Sequence, residues 1–593
     1  MRMRKAVVSI AVVGLAVGLL SCGGSSTRAG GPDAVLRMIP ADSLLCLRIN
    51  NLDRTLGDLD RYLTGIAPKA VGPEAKAQLG GLLGNSKLAG VKTDGVFAVF
   101  LSAPADATEP VVLMQGLSIL VPISDYRLFA SSSPRLSQPD ALGVSSLEGT
   151  PLFAAKAGGF VLIGLSADAG AFAAKAKTIT AGAADSLAGV LDENETAQAT
   201  GSPLWIRANI PAVAKFVGPG LAEKIRGAAA GAPMIPGGPM AAPFPKALLD
   251  LYAGAAEKLL NEIKSVAITV EPKPDIMRLG FAVAALPGTP MAGLLTKSRP
   301  SDLKDSKLLG YLKGGVVMSG ASSFDPASLV RLSQMGLDLL SATEGTKLSE
   351  ADANRVKSFF ADLASAMGGE TVFSFNMAPQ AGAFYSMKYV FDLKDADKWR
   401  QLFDEGGDLM NLPIFASISD AAGMTAEYKV QHAVGTYQGV SIDSAKLAYT
   451  PKDPASPEGQ AMMLSPFTNI EYRMAVVGSL GVMTAGADAD TEIRKLIDLI
   501  KAGGPGPAGA EIKAAMEALP DAKNADFVAT YNMVRMLGVT QAFMPGAVPA
   551  ESLSSKSNMV LAFSIGDGQA SFRAALPKEH LTEFVRGASS FVR

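Results

Sequence analysis

The chain has 593 residues, of which 48% are hydrophobic and 19% are charged, and its formal net charge is −2. This length exceeds what one ordinary hydrophobic core organises, so we expect two or more domains. The near-neutral, slightly acidic balance lacks the dense field of Lys and Arg that contacts to a phosphate backbone require. The composition therefore excludes a nucleic-acid partner.

The first 21 residues have the three parts of a bacterial lipoprotein signal peptide. Arg2, Arg4 and Lys5 form a basic start, residues 6–20 form an apolar run too short to span a bilayer comfortably, and Ser21-Cys22 close it. We expect cleavage before Cys22, which would leave its thiol to carry diacylglycerol and palmitate-type chains that anchor the protein to a membrane. An uncleaved N-terminal anchor is the alternative.

Residues 22–33 are rich in Gly and Ser and are predicted to form a flexible tether. No later stretch is apolar over the length that a spanning helix needs, so we expect the body to be held by the lipid alone. Cys46 is the other cysteine, and it lies in the apolar stretch 44–47. It is predicted to be buried and unreactive, without an intramolecular disulfide.

The elements of the first half recur in the same order in the second half, at a separation that begins near about 270 residues. The first repeated unit is a strand at 44–49, a cap at Asn50 or Asn51, and a helix. Its copy is a strand at 316–319, the cap pair Asp325-Pro326, and a helix. Leucines at helical spacing give each helix one apolar face: Leu52, Leu56, Leu59 and Leu63 in the first, and Leu329, Leu332, Leu337 and Leu340 in the copy.

Five further units follow in both halves. They pair strand 96–100 with 372–375, strand-to-helix segments 119–125 with 389–395, 159–163 with 481–484 and 204–210 with 527–533, and hairpins 266–283 with 559–573. Asn209 and Asn532 fall at the same place in the fifth unit, where an Asn side chain can cap a helix.

Strand-rich halves with interspersed helices and neighbouring hairpins predict the α+β class. We expect two homologous tandem domains, each a mainly antiparallel curved sheet with interspersed helices. The predicted boundaries are 34–298 and 299–593, and the polar stretch 297–305, which contains Pro300, is the expected linker.

Three stretches carry a resemblance to known proteins. They are Ile39-Pro40-Ala41-Asp42-Ser43-Leu44-Leu45, the turn at Ser124-Asp125, and the apolar pattern from Gly143 to Val161. They resemble a family of large bacterial envelope lipoproteins that is described only as a domain of unknown function. The resemblance implies an exported, duplicated architecture and brings no catalytic residues. Under the sorting rule of enterobacterial lipoproteins, Gly23 after the lipidated cysteine implies the outer membrane if the host has two membranes.

Sequence motifs for catalysis are not found. The two histidines, His432 and His580, occupy different repeat units, and no G-x-S-x-G, H-E-x-x-H or Walker A sequence is present. We expect both histidines to be solvated polar residues, and the carboxylates Asp53, Asp58 and Asp60 to form the solvated face of the first helix. No catalytic residue, metal site or cofactor is predicted.

One feature of each half points to a contact surface. An apolar, nearly uncharged Gly/Pro/Ala/Met segment lies between units five and six, at 227–245 in the first half and 543–549 in the second. A lid, an adaptable contact surface, a membrane-touching loop and a plain connector all remain open. The residues assigned to ligand or partner contact are Met234, Ile235, Met240, Phe244, Phe543 and Met544.

These features predict a lipid-anchored, non-catalytic envelope protein that binds an apolar ligand or lipid. A protein-protein interaction scaffold of the envelope is the alternative, and an enzyme is the third. The expected partners are the membrane, through the N-terminal lipid, and an apolar small molecule or an envelope protein. The oligomeric state is not indicated by the sequence.

Overall fold

A computed structural model describes most of the chain from residue 33 onwards. The described residues are 33–102, 114–182, 185–217, 246–297, 303–312, 314–342, 348–380, 383–413, 423–456, 468–504, 509–519, 522–543 and 554–589, with positions 220, 223, 301, 416, 419, 459 and 460. The predicted signal peptide and all but the last residue of the predicted tether lie outside them.

The chain forms two compact units, which are discontinuous in sequence. The first takes the residues up to Val217, Ile263–Ala284 and Ala575–Thr582, and the second takes Gly218–Glu262, Ala285–Ala574 and the residues from Glu583 onwards. The predicted boundaries at 34–298 and 299–593 stay a prediction.

The first unit contains an antiparallel sheet with helices. Its strands are β1 (Leu45–Ile49), β2 (Phe97–Leu101), β3 (Leu117–Pro122), β4 (Val144–Ser146), β5 (Leu152–Ala157), β6 (Phe160–Leu165), β7 (Leu204–Asn209), β8 (Ile263–Pro272) and β9 (Ile276–Ala285). Its helices are α1 (Asp33–Met38), α2 (Leu52–Leu63), α3 (Val71–Leu82), α4 (Tyr126–Ser131), α5 (Ala169–Ala181), α6 (Leu187–Val190), α7 (Glu193–Gly201) and α8 (Ile210–Val217). The paired strands run in the order β4-β5-β6-β3-β2-β1-β7-β8.

The second unit has the same kind of architecture. Its helices are α9 (Lys246–Glu262), α10 (Pro290–Leu294), α11 (Ala327–Ala342), α12 (Glu350–Ala366), α13 (Ala396–Met410), α14 (Ala489–Lys501), α15 (Ala510–Ala518), α16 (Met533–Phe543) and α17 (Lys578–Ser589). Its strands are β10 (Met318–Ser323), β11 (Met367–Gln380), β12 (Ala383–Leu393), β13 (Met424–Tyr437), β14 (Val440–Pro451), β15 (Asn469–Val477), β16 (Leu480–Gly486), β17 (Phe527–Tyr531), β18 (Met559–Gly566) and β19 (Gln569–Pro577). The boundaries between the units fall within β9, β19 and α17.

The second sheet is also antiparallel, in the order β13-β14-β15-β16-β12-β11-β10-β17-β18. In the first sheet β1 lies between β2 and β7, which ends at the capping residue Asn209. In the second sheet β10 lies between β11 and β17, which ends directly before the capping residue Asn532. The predicted α+β class and mainly antiparallel sheet are therefore confirmed.

Helix starts follow the predicted caps because the capping side chain satisfies amides that the helix cannot. Asn51 accepts a hydrogen bond from the amide of Arg54 at 2.9 Å, and Asp125 and Asp395 cap α4 and α13. Asn209 accepts from the amide of Ala212 at 3.2 Å, and Asn532 accepts from that of Arg535 at 2.8 Å. The structural role predicted for both asparagines is confirmed.

The first sheet is buried on both faces. One face packs with Leu56 of α2 and Phe129 of α4, and the other packs with Phe172 of α5 and Leu36 of α1. Leu56 and Leu59 are each 2% exposed, as predicted.

The second sheet also carries helices on both faces. The hydrophobic face of α14 is buried through Ile493 and Ile497, and the helix contacts β15 and β16. On the other face α12 and α13 pack through Leu363 and Trp399.

Three predictions about individual residues are wrong because tertiary packing overrides local pattern. Leu332 is 48% exposed, since the buried face of α11 runs through Ser333 and Leu337, four residues apart. Asp58 is buried and paired with Arg61, so it is not part of a solvated face. His580 is fully buried, since the segment Ala575–Thr582 packs into the first unit.

The other predicted polar positions also have partners. Asp53 lies 2.6 Å from the amine of Lys76, and Asp60 accepts hydrogen bonds from the amides of Val71 and Gly72 at the start of α3. His432 is exposed, as predicted, and lies in β13.

Candidate functional site

The residues assigned to contact from the sequence cannot be placed. Cys22, Met234, Ile235, Met240, Phe244 and Met544 lie outside the described residues. Phe543 ends α16, but its side chain is not among those described. The candidate site is therefore built from other residues.

The second sheet presents a row of large apolar side chains across five neighbouring strands. Residues directly opposite each other in an antiparallel sheet point to the same face, so the cross-strand register defines the row. From β18 to β12 it runs through Met559, Tyr531, Met318, Phe375 and Met387. Each of these side chains is half-buried and none is enclosed.

Aromatic rings line this row along one side. Phe373, two residues before Phe375, stacks on Tyr389 with ring centroids 6.1 Å apart and on Phe527 at 5.9 Å. Tyr389 in turn stacks on Phe391 at 5.8 Å. The five-residue row and these four rings are called the Met/aromatic face below.

Gly320 on β10 makes this stacking possible. A Cβ atom at Gly320 would lie 2.8 Å from Cε1 of Phe373, closer than carbon atoms approach. The ring of Phe373 therefore occupies the space above the glycine, between the strands that carry Tyr389 and Phe527. A side chain at position 320 would displace it.

The opposite side of the same strands is buried. Ala321, Val372 and Val528 alternate with residues of the Met/aromatic face and are at most 2% exposed. The contrast shows that the second sheet has one complete core face and one face that is only partly covered. Sheet faces left half-open in this way are unusual unless something binds there.

Two helices close one end of the Met/aromatic face. Trp399 of α13 lies 5.9 Å from Phe391 and 4.6 Å from Phe403, measured between ring centroids. Phe359 and Leu363 of α12 pack into the same cluster. Helix α16 also contacts β11, so the row from Met559 to Met387 is partly covered and its side chains are half-buried.

Polar groups mark the other end of the strands. Asn532 follows Tyr531 directly, and its amide nitrogen donates to the carbonyl of Ser557 at 2.9 Å. Arg535 donates to the carbonyl of Val316 at 2.8 Å and lies 3.4 Å from Glu511. These polar groups lie where β17 ends, and Asn532 among them is fully buried.

Tyr385 and Tyr428, two tyrosines near the face, have raised pKa values. Burial, with the nearby Tyr472, raises the pKa of Tyr385 to about 12. Burial also raises the pKa of Tyr428 to about 12, with Tyr472 and Asp404 as smaller causes. The face therefore offers apolar surface and polarisable sulfur and ring groups, and no charge to bind an ion.

The corresponding row of the first sheet is aliphatic. It runs through Val266, Ala208, Leu45, Leu101 and Leu117. Leu45 is 40% exposed, although the rows nearer α2 are buried. Beside it, an enclosed apolar cavity of about 10 Å³ lies between α3 and the sheet. A space of this size holds about one water molecule and no larger ligand.

A larger groove of about 440 Å³ opens beside α1 in the first unit. Leu36, Gly182 and Ala188 contribute to its wall, and Arg37 is the one charged residue among the described lining residues. Its other polar lining residues are Ser186 and Thr196.

Two kinds of reactive group were compared with the geometry that their chemistry needs: metal-binding clusters and the thiol of Cys46. No group of three or more His, Cys, Asp or Glu residues with metal-binding geometry is present there. Cys46 is buried as predicted, and burial raises the pKa of its thiol to about 12 against the smaller opposing effects of Arg48 and Arg207. A thiol with that pKa is a poor nucleophile.

No helix in the described ranges has the length and apolar character needed to cross a bilayer.

The Met/aromatic face was missed at the level of sequence, although a signal exists. Phe373 and Phe375 flank Ser374, and Met387 and Tyr389 flank Lys388. Alternation with period two predicts strands with one apolar face. Comparison with protein-family models, curated proteins and solved structures gave no match to this chain, so its function has to be inferred from this geometry.

Proposed function

We propose that the protein is a lipid-anchored, non-catalytic envelope protein that binds an apolar ligand on the Met/aromatic face of its second unit. The observation that carries the proposal is the half-buried row from Met559 to Met387, lined by stacked rings and backed by a complete core. Leaving such side chains in water is unfavourable, at about 25 cal/mol per Å² of apolar surface, so covering them with a ligand is favourable.

The shape of the face favours an extended aliphatic chain. Adjacent strands lie about 4.8 Å apart, so a row across five strands spans about 19 Å. One leaflet of a bilayer core is about 15 Å thick, and this is the span of a lipid acyl chain. Methionines adapt to an irregular chain better than branched residues do, because their side chains are unbranched and flexible. A lipid acyl chain therefore fits the row in length and in chemistry.

We also propose that the two units arose by tandem duplication. Support comes from the matching strand orders, with β6-β3-β2-β1-β7-β8 corresponding to β16-β12-β11-β10-β17-β18. Further support comes from the helix-capping residues Asn209 and Asn532. Asn209 directly follows Ala208 in the row of the first sheet, and Asn532 directly follows Tyr531 in the row of the second. In this view the aliphatic row of the first sheet is the counterpart of the Met/aromatic face.

The anchor remains part of the proposal. Cys22 would hold the protein on the exported side of a membrane, on the outer membrane if the host has two, where lipids are at hand.

Binding of an apolar probe to the purified mature protein tests the proposal. Fluorescence of 1-N-phenylnaphthylamine should increase on binding, and palmitate should displace the probe. Replacing Met318→Gln should weaken binding about fivefold, because a polar amide takes the place of about 1 kcal/mol of apolar contact. Met424→Gln, at the start of β13, is the matched control and should bind normally. Absence of saturable binding, or equal losses in both variants, would contradict the proposal.

An interaction scaffold remains the second candidate function, and one observation favours it. Ile268, Leu279 and Phe281 on the hairpin β8–β9 are 39%, 42% and 44% exposed. A cluster of exposed apolar residues on one hairpin is typical of a protein-binding surface. Cross-linking in cells that recovers only the monomer would contradict this role.

A further inference from the structure

Helix α13 forms the cover over one end of the Met/aromatic face. Trp399 and Leu402 are each 6% exposed and pack against the sheet through Phe391 and Met483. Farther along the helix, Gly407 lies against the ring of Tyr428 on β13, where a Cβ atom would be 3.1 Å from the ring. The second half of α13 therefore rests on β13.

A single histidine joins these two elements. Nε2 of His432 on β13 lies 3.1 and 3.2 Å from the two carboxylate oxygens of Asp404 on α13. Nδ1 of the same ring lies 3.7 Å from Oδ1 of Asp443 on β14. The imidazole thus stands between two carboxylates from two different elements.

The backbone of β13 is shaped to hold this histidine. The pairing with β14 is irregular between Gln431 and Gly435, which is a β-bulge. Ala433 has a φ of +52°, which is a strained conformation for a residue with a side chain, and its amide donates to Asp443 at 2.8 Å. Strain at this position indicates that the placement of His432 is fixed by its surroundings.

β13 also lies at the edge of the second sheet, since among the described strands it pairs with β14 alone. Its attachment to the rest of the unit therefore depends on β14 and on α13. The contact between His432 and Asp404 is a hydrogen-bonded ion pair only while the imidazole carries its second proton.

We propose that protonated His432 fastens the second half of α13 to β13 and helps to hold one end of the Met/aromatic face closed, and that loss of this proton loosens this half of the helix and eases opening of that end. This inference rests on the proposed function, because it assigns a regulation to the same site. The opened region contains Phe391 of the Met/aromatic face, together with Tyr428 and Tyr472, which belong to the same cluster under α13.

The charges around His432 fix the direction of the effect. Asp404 faces the ring from α13 and Asp443 faces it from β14. The other charged groups on these elements are Asp397, Lys398, Arg400, Glu405 and Asp408 on α13, Glu427 and Lys429 on β13, and Lys446 on β14. The hydrogen bond to Asp404, followed by the charges of Asp404 and Asp443, raises the pKa of His432. The tie is therefore complete below the usual pKa of histidine and is lost as pH rises through the raised pKa.

The dissociation rate of 1-N-phenylnaphthylamine from the full mature protein tests this inference. In the wild type the rate should increase between about pH 5.5 and about pH 9, by at most about fivefold, the upper range for an exposed ion pair. His432→Gln should show the fast rate at both pH values. Asp397→Asn, which removes an exposed ion pair to Arg400 on the same helix, is the matched control and should keep the wild-type pH dependence.

Hydrogen exchange of the peptide covering α13 gives a readout that does not need the probe. At the lower pH, Asp404→Asn should exchange faster than the wild type, and at the higher pH the two should agree. Probe binding with a pH dependence that His432→Gln retains would overturn the inference and leave the proposed function standing. If the wild type bound no probe at any pH, both the proposed function and the regulation inferred from it would be overturned. Hydrogen exchange of α13 would then still show whether His432 and Asp404 hold the helix.

Discussion

Nε of Arg207 lies 3.1 Å from Oε1 of Glu195 in the first unit, and the two side chains are 4% and 1% exposed. Glu195 also accepts hydrogen bonds from Lys264 at 2.7 Å and from Ser265 at 2.6 Å. One carboxylate on α7 thereby neutralises a buried guanidinium on β7 and joins the helix to β8. A buried charge whose partner is removed is strongly destabilising, which makes this pair a sensitive point of the fold.

Replacing Glu195→Gln should lower the free energy of unfolding by about 3 to 5 kcal/mol, because Arg207 would keep its charge without a counterion. Urea unfolding of the wild type and the variant measures the difference. Glu193→Gln, at an exposed position of the same helix, is the matched control and should change stability by less than about 0.5 kcal/mol. Equal losses of unfolding free energy in the two variants would show that the ion pair between Glu195 and Arg207 does not contribute specifically to stability.

The same carboxylate predicts how stability depends on acid. Burial alone would raise the pKa of Glu195, but the charge of Arg207 and the hydrogen bonds from Lys264 and Ser265 together lower it to about 2. A lowered pKa contributes stability above the unfolded value, and this contribution is lost as pH falls from about 4.5 towards about 2. The stability difference between the wild type and Glu195→Gln should therefore shrink over this range, as measured by urea unfolding at each pH. A constant difference would contradict the assignment.

The leucines of two helices that the proposed duplication pairs provide a paired test of burial. Leu59 on α2 is 2% exposed, so Leu59→Ala should cost about 2 to 5 kcal/mol in unfolding free energy. Leu332 on α11 is 48% exposed, so Leu332→Ala should cost less than about 0.5 kcal/mol. Thermal or urea unfolding of both variants measures the two losses of unfolding free energy. Similar losses would mean that Leu332 is buried and would contradict the exposed position of this side chain on α11.

The contrast between these leucines shows how far the sequence determines the fold. Strand-to-helix units with caps at Asn51, Asp125 and Asp395 could be predicted, because capping is a local interaction between near neighbours. The exposure of Leu332 and the burial of His580 could not, because they depend on which distant element covers each helix face.

The candidate site also combines local features, which the sequence shows, with tertiary contacts, which it does not show. The alternation of Phe373 and Phe375 indicates a strand with one aromatic face. Whether α12 and α13 cover the whole of that face or only the end at Phe391 is decided by helix placement, which leaves no local pattern. The stacking of Phe373 over Gly320 likewise requires the strand register, which is a tertiary property.

Lipid attachment at Cys22 can be tested in cells. Cys22→Ser should leave the precursor uncleaved at this site and unlabelled by a palmitate analogue, because the thiol is the acceptor of the lipid. Cys46→Ser is the matched control and should be labelled normally, since Cys46 is buried. Normal labelling of Cys22→Ser would refute the lipoprotein hypothesis.

Affinity for saturated fatty acids should rise with chain length and then level off, because only the methylenes that lie on the row are removed from water. Each buried methylene contributes about 0.8 kcal/mol, or about fourfold in affinity, until the chain exceeds the span of about 19 Å. Titration calorimetry with octanoate, dodecanoate, hexadecanoate and docosanoate measures the series. Equal affinities throughout, or tighter binding of rigid cholesterol than of hexadecanoate, would show that the Met/aromatic face is not a site for an extended chain.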